Sequence, residues 1–204
     1  MNKFFSLFLY FVSFQLQLME ISPQNLFDIF NSRSFFSADF NQSTIQDDKE
    51  RKIQGSINAS RDGKFKVTYL KPISEIISSD GKNLFRLDYE LNQLDIFSVE
   101  DYFANIESPI SFFTKSSGEL SEIYAVDHCD QTDEISVCSL TPIEDDTFLK
   151  KLFISLDINT IYSISYNDTF DQEVKIFFTN LSWQNLSDEK FTFDMPPKID
   201  IVYH

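Results

Sequence analysis

Histidines and paired acids are the residues with which this chain would have to perform catalysis, and neither group forms a workable set. His128 and His204 are the two histidines, and no serine stands in the Gly-x-Ser-x-Gly motif of a hydrolase. The adjacent acids Asp47-Asp48 and Asp145-Asp146 lie in polar stretches, where carboxylates usually form a solvated surface instead of a glycosidase pair. We therefore expect no enzymatic activity and no cofactor.

Two cysteines are the remaining candidates for covalent or metal chemistry. Cys129 and Cys138 stand close together between two alternating segments, and this spacing suits a disulfide across a hairpin in an oxidising compartment. His128 adds one imidazole, but two thiolates and one imidazole fall short of the four ligands of a structural zinc site. The sequence predicts a disulfide and no metal.

Arg61 is the basic residue that we single out for its position in the sequence. It stands at the end of one alternating apolar segment, directly before the turn signal Asp62-Gly63 and the next apolar segment from Phe65. From the pattern alone, an exposed turn arginine is the simpler interpretation.

Composition and charge narrow the classes of function. Lysine and arginine number 17 against 32 acids, a net charge of −15, which argues against nucleic acid and against loose adsorption to anionic lipid surfaces. Phenylalanine is unusually frequent, with 23 residues against one tryptophan. These features indicate an acidic, globular, phenylalanine-rich protein.

The N-terminus has the pattern of a targeting segment. Lys3 precedes an apolar run from Phe4 to Phe14, which is shorter than the roughly 20 residues that span a bilayer. We predict a secretory signal peptide over about residues 1–20 and one domain over 21–204. An uncleaved anchor and a buried N-terminal helix are the alternatives.

The elements that must position these residues are mostly strands. Phe36, Ala38 and Phe40 share one face of a predicted strand, and short turns separate similar segments along the chain. Ser22-Pro23 predicts a helix over about 22–34, and Ser108-Pro109 starts a second. We predict a mainly β (α+β) protein, an antiparallel meander of about 11 strands curled into one sheet or open barrel with helices as its cover. The later predicted strands are 123–126, 135–140, 149–156, 160–166, 173–178 and 191–194.

Several segments, in order, carry a resemblance to a known family. The segment FFSADFNQ, Phe35 to Gln42, is similar to the F-x-A-x-F-x-Q strand of the LolA family of outer-membrane lipoprotein carriers. Gly55, then Arg61, then Phe65 follow the family's glycine, turn arginine and apolar strand, although the family's usual Arg-Pro is here Arg61-Asp62. Later segments that match are IISSDGK at 76–82, Pro109, Val137 to Pro142, and Phe191 to Phe193 with Pro196-Pro197.

The resemblance implies a fold, a route and partners. Such carriers are half-open antiparallel β-barrels covered by short lid helices, and they act as periplasmic chaperones in Gram-negative bacteria. They take triacylated lipoproteins from an inner-membrane ABC exporter and deliver them to an outer-membrane receptor. Three acyl chains must be kept from water, and phenylalanine offers apolar area without unpaired polar atoms. A monomer is expected.

The resemblance also implies roles for residues. Arg61 matches the arginine that bonds lid-helix carbonyls and holds the empty cavity closed, and Phe65 matches the aromatic at the barrel mouth where the exporter engages. The resemblance implies an acyl-chain lining, and alternation along the strands indicates which side chains point inward. We expect the lining to include Phe30, Phe40, Ile57, Phe65, Val67, Tyr69, Phe85 and Leu87, with Ile110 and Phe113 from the lid.

Two readings compete with the carrier. The receptor that shares this fold is lipidated through a cysteine after its signal peptide, whereas the first cysteine here is Cys129. A secreted lipid- or ligand-binding β-barrel of different ancestry is the second alternative. The acidic stretch around Glu144 departs from the family and predicts an altered loop at the mouth.

Overall fold

Strands dominate the structure, a computed structural model that describes residues 21–70, 72–103, 108–132, 135–144, 147–157 and 160–204. The predicted signal peptide and the pair Asp145-Asp146 lie outside these residues. The described residues form twelve strands: β1 (Phe35–Gln46), β2 (Lys49–Ser60), β3 (Lys64–Tyr69), β4 (Glu75–Asp80), β5 (Asn83–Asp88), β6 (Gln93–Ser98), β7 (Tyr124–Gln131), β8 (Ile135–Pro142), β9 (Leu149–Asp157), β10 (Thr160–Asp168), β11 (Glu173–Ser182) and β12 (Asp200–Tyr203).

Short helices supply the remaining regular structure. The predicted helix over 22–34 is mostly a series of turns that ends in one helical turn, yet Leu26 and Phe30 are both buried, as helical spacing predicts. Among the described residues, no helix is long and apolar enough to cross a membrane. The helices are α1 (Asp28–Asn31), α2 (Val99–Phe103), α3 (Ser111–Thr114), α4 (Ser117–Ile123) and a 3-10 turn, Asp188–Phe191.

All twelve strands form one open sheet in the order β12-β6-β5-β4-β3-β2-β1-β11-β10-β9-β8-β7. The predicted mainly β, half-open sheet with short helices is therefore confirmed. Neighbouring strands pair antiparallel except β12, which lies parallel to β6. The connection from β6 to β7 joins one end of the sheet to the other, and α2, α3 and α4 lie along it.

The predicted strand over 191–194 is wrong. Phe191 ends the 3-10 turn, and the chain then crosses the back of the sheet without pairing as a strand. Its backbone carbonyls are bonded by side chains of the sheet instead: Ser78 Oγ donates to the Phe191 carbonyl at 2.7 Å and Lys66 Nζ to that of Thr192 at 2.6 Å. Pro196-Pro197 lack the N–H groups that a strand ladder needs, so pairing resumes only at β12.

The sheet is strongly curved. One cavity of about 800 Å³ is bordered both by Gly81, in the β4–β5 turn, and by Glu144 and Thr147, between β8 and β9. In a flat sheet with strands ~4.8 Å apart, these connections would lie about 30 Å from each other. The two halves of the sheet therefore bend towards one another around a hollow.

The main hydrophobic cluster lies on the concave face. The predicted inward residues of β1, Phe36, Ala38 and Phe40, are all buried in it. Helical residues, including Phe30 and Phe112, belong to the same cluster. The helices thus share one core with the concave face of the sheet.

A disulfide secures the edge of the sheet. Cys129 of β7 lies directly opposite Cys138 of β8, and the two are bonded, which confirms the predicted pairing. Since β7 has a neighbour on one side only, this cross-link holds an edge strand in register.

Gly55 is required by close packing on the concave face. A Cβ added there would fall on the Thr68 carbonyl oxygen and the Phe40 ring. Gly55→Ala should therefore lower the free energy of unfolding by about 2–3 kcal/mol, measured by urea denaturation.

Gly118 in α4 provides the matched control. A Cβ there would meet nothing closer than Ser116 Oγ at 4.0 Å, so Gly118→Ala should stabilise by about 0.5–1 kcal/mol through helix propensity. Equal effects of the two substitutions would contradict the packing described for Gly55.

Candidate functional site

Aromatic rings join the helices to the concave face. The ring of Phe113 in α3 stacks on Phe36 of β1, with centroids 3.8 Å apart and planes 13° from parallel. Phe113 also meets Phe178 of β11 and Phe30 of α1 edge-on, at 5.7 and 6.5 Å. The helices therefore occupy the hollow with their own apolar side chains.

Arg61 ties these helices to the sheet. It lies just after β2, and its guanidinium donates from Nη2 to the Phe30 carbonyl at 2.7 Å and from Nε to the Arg33 carbonyl at 3.2 Å. Nη1 donates to the Lys115 carbonyl. These oxygens lie at or just beyond the C-terminal ends of α1 and α3, where helix carbonyls carry partial negative charge. One side chain thus bonds two separate helices.

This contact places a charged guanidinium where little water reaches it. Desolvation lowers the pKa of Arg61 to about 10, while the nearby Glu119 carboxylate acts in the opposite direction. The guanidinium remains a cation at neutral pH, and the three carbonyls replace its lost water. If the helices moved away, Arg61 would need new acceptors or water.

Glu119 is positioned by the start of α4. Ser116 Oγ accepts from the Glu119 N–H at 3.3 Å, and the Glu119 carboxylate accepts from the Ser116 N–H at 2.8 Å, which is a capping box. The hydrogen bonds from Ser116 are the main reason why the pKa of Glu119 lies below its usual value. The cap therefore fixes an anion near Arg61.

Phe65 lies in the wall of the cavity. Its side chain is 4% exposed and faces Phe103 of α2, with ring centroids 6.3 Å apart. Phe65 and Phe103 line the 800 Å³ cavity together with Arg61 and Tyr124. Carboxylates also border this cavity, namely those of Asp62, Glu100, Glu119, Glu122 and Glu144.

Most of the predicted lining residues come together on the concave face. Val67 and Tyr69 are partly buried against the main cluster. Those buried within it are Phe30, Phe40, Ile57, Phe65, Ile110 and Phe113.

Phe85 and Leu87 do not join them. Leu84 of the same strand belongs to the main cluster, whereas Phe85 and Leu87 pack in a second cluster with Phe193 and Ile199. They therefore face the back of the sheet, where the chain that precedes β12 covers them. The alternation indicated a buried face correctly, but not which of two buried faces it was.

Other residues of the hollow were not among the predicted lining. Phe36 has the same alternation signal as Phe40 and could have been included. Phe112, Phe178 and Tyr124 also belong to the main cluster. Trp183 packs on Phe36 at 4.9 Å, and no sequence signal connected it with the helices.

This geometry is that of an open half-barrel whose apolar hollow is covered by short helices, an architecture suited to long apolar ligands. Residues 31–194 match the family described as outer membrane lipoprotein carrier protein LolA. The chain belongs to this family, as the resemblance predicted. Membership in a family of carrier proteins also supports the absence of enzymatic activity.

Two relatives agree with this assignment, and a solved structure shares the fold. The outer-membrane lipoprotein carrier protein of Chromobacterium violaceum is 25% identical over 168 residues, 81% of this chain and 80% of its own. That of Bordetella pertussis is 28% identical over 165 residues, 80% of this chain and 77% of its own. An uncharacterised conserved protein from Thermus thermophilus shares the fold, with a TM-score of 0.56, 13% identity and coverage of 89% of this chain and 98% of the other.

Arg61→Lys tests whether the forked guanidinium holds the helices. A lysine keeps the charge but cannot bond three carbonyls in three directions. Amide hydrogen exchange at Arg33 and Lys115, whose N–H groups bond within the turns of α1 and α3, should accelerate roughly tenfold or more. Exchange at Ile164 in β10 should stay the same.

Arg51→Lys is the matched control, because Arg51 is exposed on β2. Unchanged exchange at Arg33 and Lys115 in the Arg61 variant would mean that the helices are held by their apolar contacts alone.

Proposed function

We propose that this protein is a periplasmic chaperone that carries triacylated lipoproteins and buries their acyl chains against the concave face. The observation that carries the proposal is that helices tethered by Arg61 fill an apolar hollow with their own aromatic side chains. In this proposal the structure is the closed, unloaded state, and the lining consists of Phe30, Phe40, Ile57, Val67, Tyr69, Ile110 and Phe113.

Acyl chains and lid side chains compete for the same surface. Burying an acyl methylene contributes about 0.8 kcal/mol, but loading also removes Phe113 from Phe36 and Phe178. Cargo therefore gains only the difference between its own contacts and those of the lid. This exchange keeps the affinity moderate enough for release.

Arg61 sets the balance between the two states. Closing the empty hollow satisfies its guanidinium with the carbonyls of Phe30, Arg33 and Lys115. Loading separates these groups, so the contact favours the unloaded state by an amount that cargo must exceed. Such a contact promotes delivery.

The proposal includes one partner at each membrane. An inner-membrane ABC exporter would load the protein at the mouth near Phe65, and an outer-membrane receptor would accept the cargo. A net charge of −15 keeps a shuttle from adhering to anionic membranes. The carrier acts as a monomer.

Native mass spectrometry of protein purified from the periplasm tests the carrier proposal. Co-purified proteins with the mass of triacylated lipoproteins would support it. A bound small molecule in their place would favour the alternative, a β-barrel that binds a different ligand.

Arg61→Leu should leave folding intact and trap bound lipoprotein, because the closed state loses its polar tether while the apolar surface remains. Transfer of labelled lipoprotein from purified variant to receptor should slow at least tenfold. Arg51→Leu, on an exposed position of β2, should transfer at the normal rate. Normal transfer by Arg61→Leu would exclude the role of Arg61 in the lid.

A further inference from the structure

A polar cluster interrupts the apolar concave face at the end away from Arg61. Tyr69 ends β3, whereas Arg61 precedes the start of that strand. Tyr69 lies opposite Glu75, and Arg86 lies opposite Ile77. Opposite residues share a face, and both Tyr69 and Ile77 pack against the main cluster. Glu75 and Arg86 therefore also face into the hollow.

An ion pair forms the base of this cluster. Arg86 Nε donates to Glu75 Oε1 at 2.5 Å, and the side chains of Glu75 and Arg86 are 11% and 47% exposed. Glu75 is largely withdrawn from water, whereas nearly half of the Arg86 side chain remains accessible. The guanidinium is therefore bonded on one side and open to a ligand on the other.

Three tyrosines from separate elements belong to this cluster: Tyr69 and Tyr102 lie near the ion pair, and Tyr166 lies near Tyr69. Tyr69 of β3 interacts electrostatically with Glu75, with Tyr166 of β10 and with Tyr102 of α2. Tyr102 packs edge-on against Phe97, with ring centroids 5.2 Å apart. Because Tyr102 is a residue of α2, one of the three hydroxyls comes from a helix that covers the hollow. In the described part of the chain, no hydrogen bond joins these hydroxyls to another residue.

The cluster offers donors more than acceptors. Burial raises the pKa of Tyr69 and Tyr102 and raises the pKa of Tyr166 to about 12, so all three hydroxyls stay protonated. Arg86 uses Nε for Glu75, and its two amino groups have no hydrogen bond to a described residue. The neighbouring Asp95 is bonded to His204 at 2.9 Å.

The charge of the cluster selects the kind of acceptor. Glu75 and Asp95 carry two negative charges against the single positive charge of Arg86, so a carboxylate or phosphate would meet repulsion. An uncharged carbonyl oxygen accepts hydrogen bonds without this cost. Inside an apolar hollow, such an oxygen needs a donor, because an unpaired polar group is expensive to bury.

We propose that Tyr69, Tyr102, Tyr166 and Arg86 form a subsite for the ester and amide carbonyls that join the acyl chains of a lipid to its head group. This inference rests on the proposed carrier function and adds where the cargo's head lies: at the Tyr69 end of the hollow, below α2. The acyl chains then extend along the apolar surface towards Phe36.

The test compares two triacylated lipopeptides that differ only in the linkage of the glycerol-bound chains, ester or ether. The wild-type protein should bind the ester form about tenfold more tightly. In the triple variant Tyr69→Phe, Tyr102→Phe, Tyr166→Phe, which keeps the rings and loses the hydroxyls, this preference should disappear. Tyr162→Phe, on an exposed position of β10, should keep it.

The outcomes separate this inference from the carrier proposal. Tight binding of both lipopeptides without preference, or an undiminished preference in a folded triple variant, overturns the subsite and leaves the carrier function standing. Binding of neither lipopeptide by the wild-type protein overturns both. Short-chain diacyl phosphatidylcholine shows which lipids supply the carbonyls. If the wild-type protein binds it and the triple variant binds it more weakly, the subsite recognises glycerol esters of any lipid. If the wild-type protein does not bind it, the subsite recognises the lipoprotein head alone.

Discussion

One guanidinium, partly buried beside the β2–β3 turn, bonds the helices that cover the hollow of this molecule. Arg61 reaches carbonyls at the ends of two helices that are far apart in sequence, and no local helix contact could do the same, since α1 and α3 are single turns. Such short helices are unstable alone. Their position depends on Arg61 and on the rings that they insert into the hollow. A few polar contacts and one apolar surface therefore determine whether the cover is closed or open.

The carrier problem is to bind strongly enough to protect acyl chains and weakly enough to release them. In the proposed mechanism, the side chains of the helices act as a substitute ligand for the apolar surface. Phe113 and Phe30, which belong to the main cluster, would then occupy the surface that an acyl chain takes on loading. The disulfide joins β7 to β8 at one edge of the sheet, and the strap, the chain from Phe191 to Ile199 that precedes β12, is bonded to the back of the sheet by Ser78 and Lys66.

Local patterns predicted the elements well and their long-range partners poorly. Alternation along β1 and β2 identified the inward residues, because one face of each strand is apolar and the other polar. On β5 both faces are covered. The alternation therefore predicted correctly that Phe85 and Leu87 pack against other residues, but it assigned them to the concave face instead of the back of the sheet. The strap from Phe191 to Ile199 is the cause, and its course depends on contacts with distant residues such as Ser78. The bonding partners of Arg61 were likewise expected from the family resemblance and not from the pattern, which favoured an exposed turn residue.

The central claim is that cargo displaces the cover from the concave face. The distance between the sheet and the cover can be measured with spin labels on Lys82→Cys, in the β4–β5 turn, and Ser121→Cys, on the exposed side of α4. Only these two cysteines would be labelled, because the two native cysteines are joined to each other. Double electron–electron resonance should give one short distance for the empty protein and a longer one once a triacylated lipopeptide is bound. An unchanged distance with the lipopeptide bound would contradict the account.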